Sequence, residues 1–292
     1  MNPNTRRLVW VFLLAAAFLA VGISALRPAP RFEGKTLTEW LVDLDPSVPA
    51  GPARDRAAAA IRRMGAGALP GLQQILEERP DSLRFRIRDW AERLRLVRRL
   101  GIAHVELQSR AAQAARILAV DSGVDTSRLV PALRSRIRGA SGVEPEMAVA
   151  LAWAGTPGVS ALLDLLSSGD AEVRDQAGWA VSQDRKTRSY PGVLDALVQG
   201  ALKDPDPKVR ANLVLYLSHY RSEGDASRLV PVGIRFLSDT NAYARWMGAK
   251  LLASQVQAPE ARAALEQALN DSEDRVRTTA QGALNRPTLT PR

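Results

Sequence analysis

The sequence predicts an all-α chain, an α-solenoid of stacked antiparallel helix pairs wound into a superhelix and preceded by one apolar transmembrane or signal helix. Three observations predict it. Two helix signatures recur every 30–36 residues or so, Ala and Leu dominate a composition with only 5% aromatics, and an apolar run without a charge extends from Leu8 to Leu26.

The best-formed unit runs from Asp204 to Leu237. Asp206 followed by Pro207 marks a helix start, because the carboxylate can accept from orphan first-turn amides and proline lacks only an N–H that would be unpaired there. Val209, Leu213 and Leu217 then fall on one face. After a polar break at 221–225, Ser227 is expected to open a second helix carrying Leu229, Val230, Ile234 and Leu237. Helices this short are marginal alone and each has an apolar face to hide, so pairs must lean on neighbouring pairs.

Along the chain the first helix repeats as Val173-Arg174…Ala177…Val181, Val209-Arg210…Leu213…Leu217, Ala244-Arg245…Gly248…Leu252 and Val276-Arg277…Ala280…Leu284. Asp204, Asp239 and Asp271 stand six positions before three of these arginines. The second helix repeats as a proline with apolar or small residues two and six positions later, at Pro70, Pro131, Pro157, Pro191, Pro231 and Pro259. These prolines are expected in first turns, where few amides have an internal partner.

On these motifs, Asp…Val-Arg and the proline-led partner helix, the chain resembles the HEAT-repeat family, in the short bacterial form related to the repeats of phycobilisome lyases. The resemblance covers roughly residues 52–286 and implies a fold rather than an activity. No chromophore-handling residue of the lyases is recognisable. The DNA glycosylases built on HEAT-like repeats are similar at the level of fold only. The register breaks once, between Pro70 and Pro131, where the stretches 82–100 and 104–120 intervene. In the first, Arg84, Arg88, Arg95 and Arg99 line one helical face beside an apolar seam, a candidate anionic-contact face.

The N-terminal run spans roughly 28 Å as a helix, about the thickness of a bilayer's hydrocarbon core. Leu8, Trp10, Phe12 and Leu26 belong to this membrane segment, residues 1–26, which is read as an uncleaved anchor with a cleaved signal as the alternative. Arg6-Arg7 on a very short tail place the body outside the cytoplasm, periplasmic or extracytoplasmic, or secreted if the segment is cleaved. Residues 27–35 read as a Pro-rich linker and residues 36–51 as a short capping helix opened by a Thr36…Glu39 capping box. Trp40 is expected to plug the first repeat. The solenoid then occupies 52–286 and a disordered tail 287–292.

Composition excludes much chemistry. There is no cysteine, hence no disulfide, thiolate nucleophile or Cys-ligated zinc, and His104 and His219 are the only histidines. No nucleophile, base and orienting carboxylate occur together in a recognisable pattern, so no catalytic, metal or cofactor residues are assigned. Net charge is +9, but residues 1–140 hold 23 Lys/Arg against 13 Asp/Glu and residues 141–292 hold 17 against 18, so the basicity lies in the first half.

The repeated Arg174, Arg210, Arg245 and Arg277 are expected to be tied to aspartates of their own or neighbouring repeats, fixing how repeats stack. Asp204/Asp206 and Asp271/Glu273/Asp274 are read as helix caps. Trp153, Trp179 and Trp246 are read as packing residues whose indoles bond loop carbonyls. The function these features imply is a membrane-anchored, non-catalytic scaffold for a protein partner of unknown identity, without a small-molecule substrate. Polyanion or nucleic-acid binding through the basic half and an enzyme-assisting, lyase-like role are the alternatives. A body outside the cytoplasm rarely meets DNA, so nucleic acid is not the expected partner.

Overall fold

The computed structural model describes residues 31–45, 51–79, 82, 86, 102–139, 145–220 and 223–285. The segment 1–26, the arginine face at 84, 88, 95 and 99, and the tail 287–292 lie outside the described residues. Among the described residues no helix is long and apolar enough to cross a membrane. The chain divides into two compact units, the first ending at Ala132 and the second beginning at Leu133.

The first unit opens differently from the linker that its prolines suggest. Strands β1 (Arg31–Phe32) and β2 (Lys35–Thr36) pair antiparallel around Glu33-Gly34, both at positive φ (49° and 81°). Two positive φ values in a two-residue turn match strand twist, and glycine makes one of them cheap. Helix α1 (Leu37–Asp43) follows, with both arms of the Thr36–Glu39 capping box formed. It stops well short of residue 51. Trp40 is buried and donates its indole N–H to the Phe32 carbonyl at 2.9 Å, so the hairpin lies on the first helix.

Helices α2 (Pro52–Met64), α3 (Leu69–Glu77) and α4 (His104–Asp121) complete this unit. α1, α2 and α3 all pack on α4 around Leu41, Ile61, Leu72, Leu76 and Leu118. Arg110 of α4 is buried; it donates to the carbonyls of Leu41 and Val42 at the end of α1 and pairs with Glu106 and Asp45. A cation on helix-terminal carbonyls opposes the negative end of the dipole. Arg110 therefore anchors one helix to another by its backbone.

The unit boundary falls in α5 (Val130–Gly139). Beyond it come α6 (Pro145–Trp153), α7 (Gly155–Leu165), α8 (Ala171–Gln183), the single turn α9 (Arg185–Arg188), α10 (Val193–Lys203) and α11 (Pro207–Leu217). The chain continues through α12 (Glu223–Leu237), α13 (Ala242–Ser254), α14 (Pro259–Ala268) and α15 (Asp274–Leu284). Contacts run α6 to α8 to α11 to α13 to α15 along one layer and α10 to α12 to α14 along the other. The unit is a two-layered repeat stack. Its last core cluster is built of Val230, Leu252, Ala261, Leu265, Val276 and Ala280 from four successive helices.

Ser227 does not open its helix. α12 begins at Glu223, so Pro231 lies inside it rather than in the first turn. Leu229 and Val230, both buried, hold the extra N-terminal turns against the core, which offsets the hydrogen bond proline removes.

α12 and α13 approach most closely at glycines. A Cβ on Gly248 would stand 2.8 Å from the Leu237 nitrogen and 2.9 Å from both the Gly233 carbonyl and Phe236 Cβ, contacts with backbone that cannot swing away. Gly248→Ala should therefore cost about 1–3 kcal/mol by overpacking. Gly282→Ala, in α15 with nothing near its would-be Cβ, should gain about 0.5–1 kcal/mol. Thermal denaturation of the two variants checks the pair; equal shifts would contradict the close approach.

Candidate functional site

The loops entering α8, α11 and α13 share a two-tier design. Asp206 caps α11, accepting from the amides of Lys208 and Val209 at 2.7 and 3.2 Å. Asp170 and Asn241 cap α8 and α13 in the same way. Asp204, two residues earlier, is not a cap. It accepts from the Asp206 amide at 2.9 Å and is gripped by Arg174 of the preceding repeat, Nε to Oδ2 at 2.7 Å and Nη2 to Oδ1 at 2.8 Å.

Asp271 does the same for Arg245, at 2.8 and 3.0 Å, while accepting from the Glu273 amide at 2.8 Å. Each of the four arginines also sends Nη1 back to the carbonyl six residues earlier: Arg174 to Ser168, Arg210 to Asp204, Arg245 to Asp239 and Arg277 to Asp271, at 2.8, 2.7, 3.2 and 2.8 Å. The arginine thus bonds to its own loop with one edge and, at two rungs, to the next repeat's carboxylate with the other. The exceptions are Arg277, whose Nη2 donates to Asp274 at 3.0 Å, and Arg210, which makes no ion pair among the described residues. Asp239, the acid equivalent to Asp204 and Asp271, accepts from the Asn241 amide at 2.8 Å.

A second line of side chains crosses the same layer. Asp175 of α8 accepts from Asn212 Nδ2 at 3.1 Å and from the Tyr216 hydroxyl at 2.9 Å, both on α11. Asn212 Oδ1 accepts in turn from the Tyr243 hydroxyl of α13 at 3.0 Å, and Tyr243 meets Trp246 edge-to-face at a centroid distance of 5.9 Å. Trp246 donates Nε1–H to Thr279 Oγ1 of α15 at 3.1 Å, a side-chain hydroxyl rather than a loop carbonyl. Lys250 and Arg275 lie over its ring at 4.4 and 5.5 Å. Burial, then the Asp175 charge, pushes the Tyr216 and Tyr243 hydroxyls upward, so both remain donors at any physiological pH. This ridge joins four helices by side chains alone, with Tyr243 41% exposed at its centre.

Sequence reading missed the ridge as a unit. Its signal is positional: Asp175, Asn212, Trp246 and Thr279 each follow a repeat arginine by one or two residues. Positions next to the arginine lie at the edge of the buried stripe, where side chains of adjacent repeats meet.

The family model for HEAT repeats matches residues 159–233 and 194–285, the stretch that holds the paired arginines and the ridge. Among solved structures, an engineered protein is 23% identical over 86% of this chain and 67% of its own, with a TM-score of 0.43. A designed armadillo repeat protein in complex with the peptide (KR)4 is 17% identical over 86% and 98%, with a TM-score of 0.43. The CpcE–CpcF complex of phycocyanin lyase from Nostoc sp. PCC7120 is 16% identical over 89% and 97%, with a TM-score of 0.37. Comparison with the curated proteins finds no match.

Two hollows open on the HEAT repeats. The larger, about 830 Å³, is bordered by Arg188, Tyr190, Asp195, His219, Tyr220 and Arg228, with Arg228 paired to Asp195. His219 meets the Ser182 carbonyl through Nδ1 at 3.2 Å, and Arg188 Nη1 donates to the same carbonyl at 2.6 Å, so both close the end of α8. His104, in the first unit, meets the Glu78 carbonyl through Nε2 at 2.9 Å. The smaller hollow, about 420 Å³, lies between Arg210 and Asp239. Among the described residues, no group of three or more His, Cys, Asp or Glu is arranged to hold a metal ion.

The two closed rungs differ in depth: side-chain exposure is 8% and 4% for Arg174 and Asp204 against 15% and 12% for Arg245 and Asp271. Burial pushes the Asp204 carboxyl up, but the hydrogen bonds from Arg174 and from the Asp206 amide outweigh it and hold the group below its ordinary range. Asp271 is lowered first by the Arg245 hydrogen bond, against a smaller effect of burial. Depressed carboxylates stabilise the fold fully above their unfolded pKa of about 3.9 and lose that contribution as pH falls through the folded values.

Removing one member of a buried pair strands the other charge, so Asp204→Asn should cost about 3–5 kcal/mol at pH 7. Asp271→Asn should cost less, and each variant should show a shallower fall in stability below about pH 4 than the parent. Urea unfolding at pH 7 and pH 3 measures both; an Asp204→Asn curve parallel to the parent's across that interval would refute the assignment.

Proposed function

We propose that the chain is a non-catalytic HEAT-repeat scaffold that holds a protein partner on the ridge of the second unit. The Leu8–Leu26 run tethers it to a membrane, and the body stands outside the cytoplasm. The observation that carries this reading is the ridge itself. Asp175, Asn212, Tyr216, Tyr243, Trp246 and Thr279 are ordered by one another before anything binds. Aromatic residues in fixed rotamers supply contact area at little entropic cost, and cations stacked on Trp246 leave charged heads at the rim. The apolar N-terminal run supports the tether, being long enough to span a bilayer and flanked by Arg6 and Arg7.

Tyr243→Ala with Arg275→Ala tests the ridge, since both side chains are exposed. Full-length protein captured from detergent-solubilised membranes should bring down a partner that the double variant loses roughly tenfold or more, as expected for an aromatic anchor, at unchanged helicity. Equal recovery by the variant would place the interaction elsewhere. Protease added to intact cells carrying an epitope at each end should remove the C-terminal tag only; protection of that tag would reverse the topology.

A further inference from the structure

The rung between Arg210 and Asp239 is built like its neighbours but not closed. Arg210 is posed as they are: Nη1 donates to the Asp204 carbonyl at 2.7 Å and to Pro205 at 3.3 Å, as Arg245 bonds Asp239 and Thr240 and Arg277 bonds Asp271 and Ser272. Asp239 is posed too, with Oδ1 on the Asn241 amide as Asp204 and Asp271 are held by theirs. What differs is the space between. At the adjacent rungs the Nε–Nη2 edge of the arginine meets two carboxylate oxygens; Arg210 meets none among the described residues and borders a hollow of about 420 Å³.

The hollow is cationic. Lys203 and Arg235 line it with Arg210, and none of the three makes an ion pair among the described residues. Asp204 lines it as well, but its two oxygens are taken by Arg174 and the Asp206 amide. Asp239 is left as one carboxylate against three cations. Ser238 contributes a hydroxyl, and the wall is Phe236 and the end of α10.

We propose that this hollow is an oxyanion site, in which a carboxylate or phosphate group takes the place on Arg210 that Asp204 and Asp271 take on Arg174 and Arg245. The fork of a guanidinium fits two oxygens in its plane, and Arg210 offers that fork already oriented by its backbone bonds, so little entropy is lost on binding. Lys203 and Arg235 supply charge from two other helices without prescribing a plane, as ammonium and mobile guanidinium groups do at phosphate sites. The site stands independently of the ridge: an acidic side chain of a bound protein and free phosphate would both satisfy it.

The experiment titrates the full chain in detergent with inorganic phosphate and, separately, with a blocked Glu-Glu dipeptide, at constant ionic strength in chloride, following thermal midpoint and the Arg side-chain NMR signals. Saturable binding is expected, weakened by roughly tenfold or more in Arg210→Gln and unchanged in Arg277→Gln, whose bonds run to Asp271, Ser272 and Asp274 and touch no residue of the hollow. Because Arg210→Gln could disturb the loop, Lys203→Gln with Arg235→Gln, both at exposed positions, serves as the second variant and should weaken binding as well. Preference for phosphate would identify a free anion as the occupant, and preference for the dipeptide an acidic segment; either supports the site. No saturable response in the parent, or full retention in both variants, would overturn it. So would a double-mutant cycle on Arg210 and Asp239 in chloride showing the coupling found for Arg174 and Asp204, since that would mean the rung closes on itself.

Discussion

The bidentate grip of an arginine on the carboxylate of the next repeat is the interaction on which the geometry of the second unit depends. Apolar burial drives the helices together, but it is non-directional, and a face of Val173, Ala177, Val181, Val209 and Leu213 could slide with little penalty. A guanidinium held at one edge by its own loop and at the other by Asp204 tolerates no such slip, because both sets of bonds are planar and short. Lysine could not do this. It would bring one charge and no second edge.

The ridge follows from that constraint. With Arg174, Arg210, Arg245 and Arg277 fixed in the first turns of successive helices, the residues one or two positions on lie at matching heights across the layer. Asp175 can then reach Asn212 and Tyr216, and Trp246 can reach Thr279. The network has no regular composition because it needs none; each step requires only a donor facing an acceptor, with an arginine pair setting the gap between α8 and α11 and between α13 and α15, while the Tyr243–Asn212 step spans the rung that no pair closes. The proposed partner surface would thereby be a by-product of the stacking device. An interruption of that device, at Arg210 and Asp239, leaves the cationic hollow. It lies beside α12, which at 15 residues is longer than α10 and α14, at 11 and 10.

Periodic features were legible in the sequence, and single events were not. Paired helices from Val159 onward could be read because apolar spacing and the Asp…Val-Arg and proline-led signatures repeat. The hairpin at Arg31–Thr36 could not, since strands of two residues have no period and the flanking prolines suggested a linker. Pro231 misled for a related reason. Proline marks first turns in most of these helices, but buried Leu229 and Val230 extend α12 ahead of it. Asp204 and Asp271 were legible in two roles, as helix caps and as partners of the repeat arginines, and the structure gives them the second: an acid near a helix start looks the same whether it bonds the helix's own amides or an arginine some thirty residues away in sequence. Which partner wins is decided by the neighbouring repeat, and no local pattern contains that.

Charge distribution separates two kinds of anion binding that composition alone confuses. The basicity of the chain sits in residues 1–140, whereas residues 141–292 hold 17 basic against 18 acidic side chains. A nearly neutral unit has no long-range field with which to gather polyanions, and at physiological salt exposed charges are screened beyond about 8 Å. Affinity at Arg210 must therefore come from short contacts: a fixed fork, two mobile cations and a hollow that accepts an oxyanion at close range. Such a site distinguishes a presented carboxylate or phosphate from a diffuse chain of charge. That discrimination would suit the proposed scaffold, in which the ridge would hold a partner by aromatic contact and the open rung would take one acidic group.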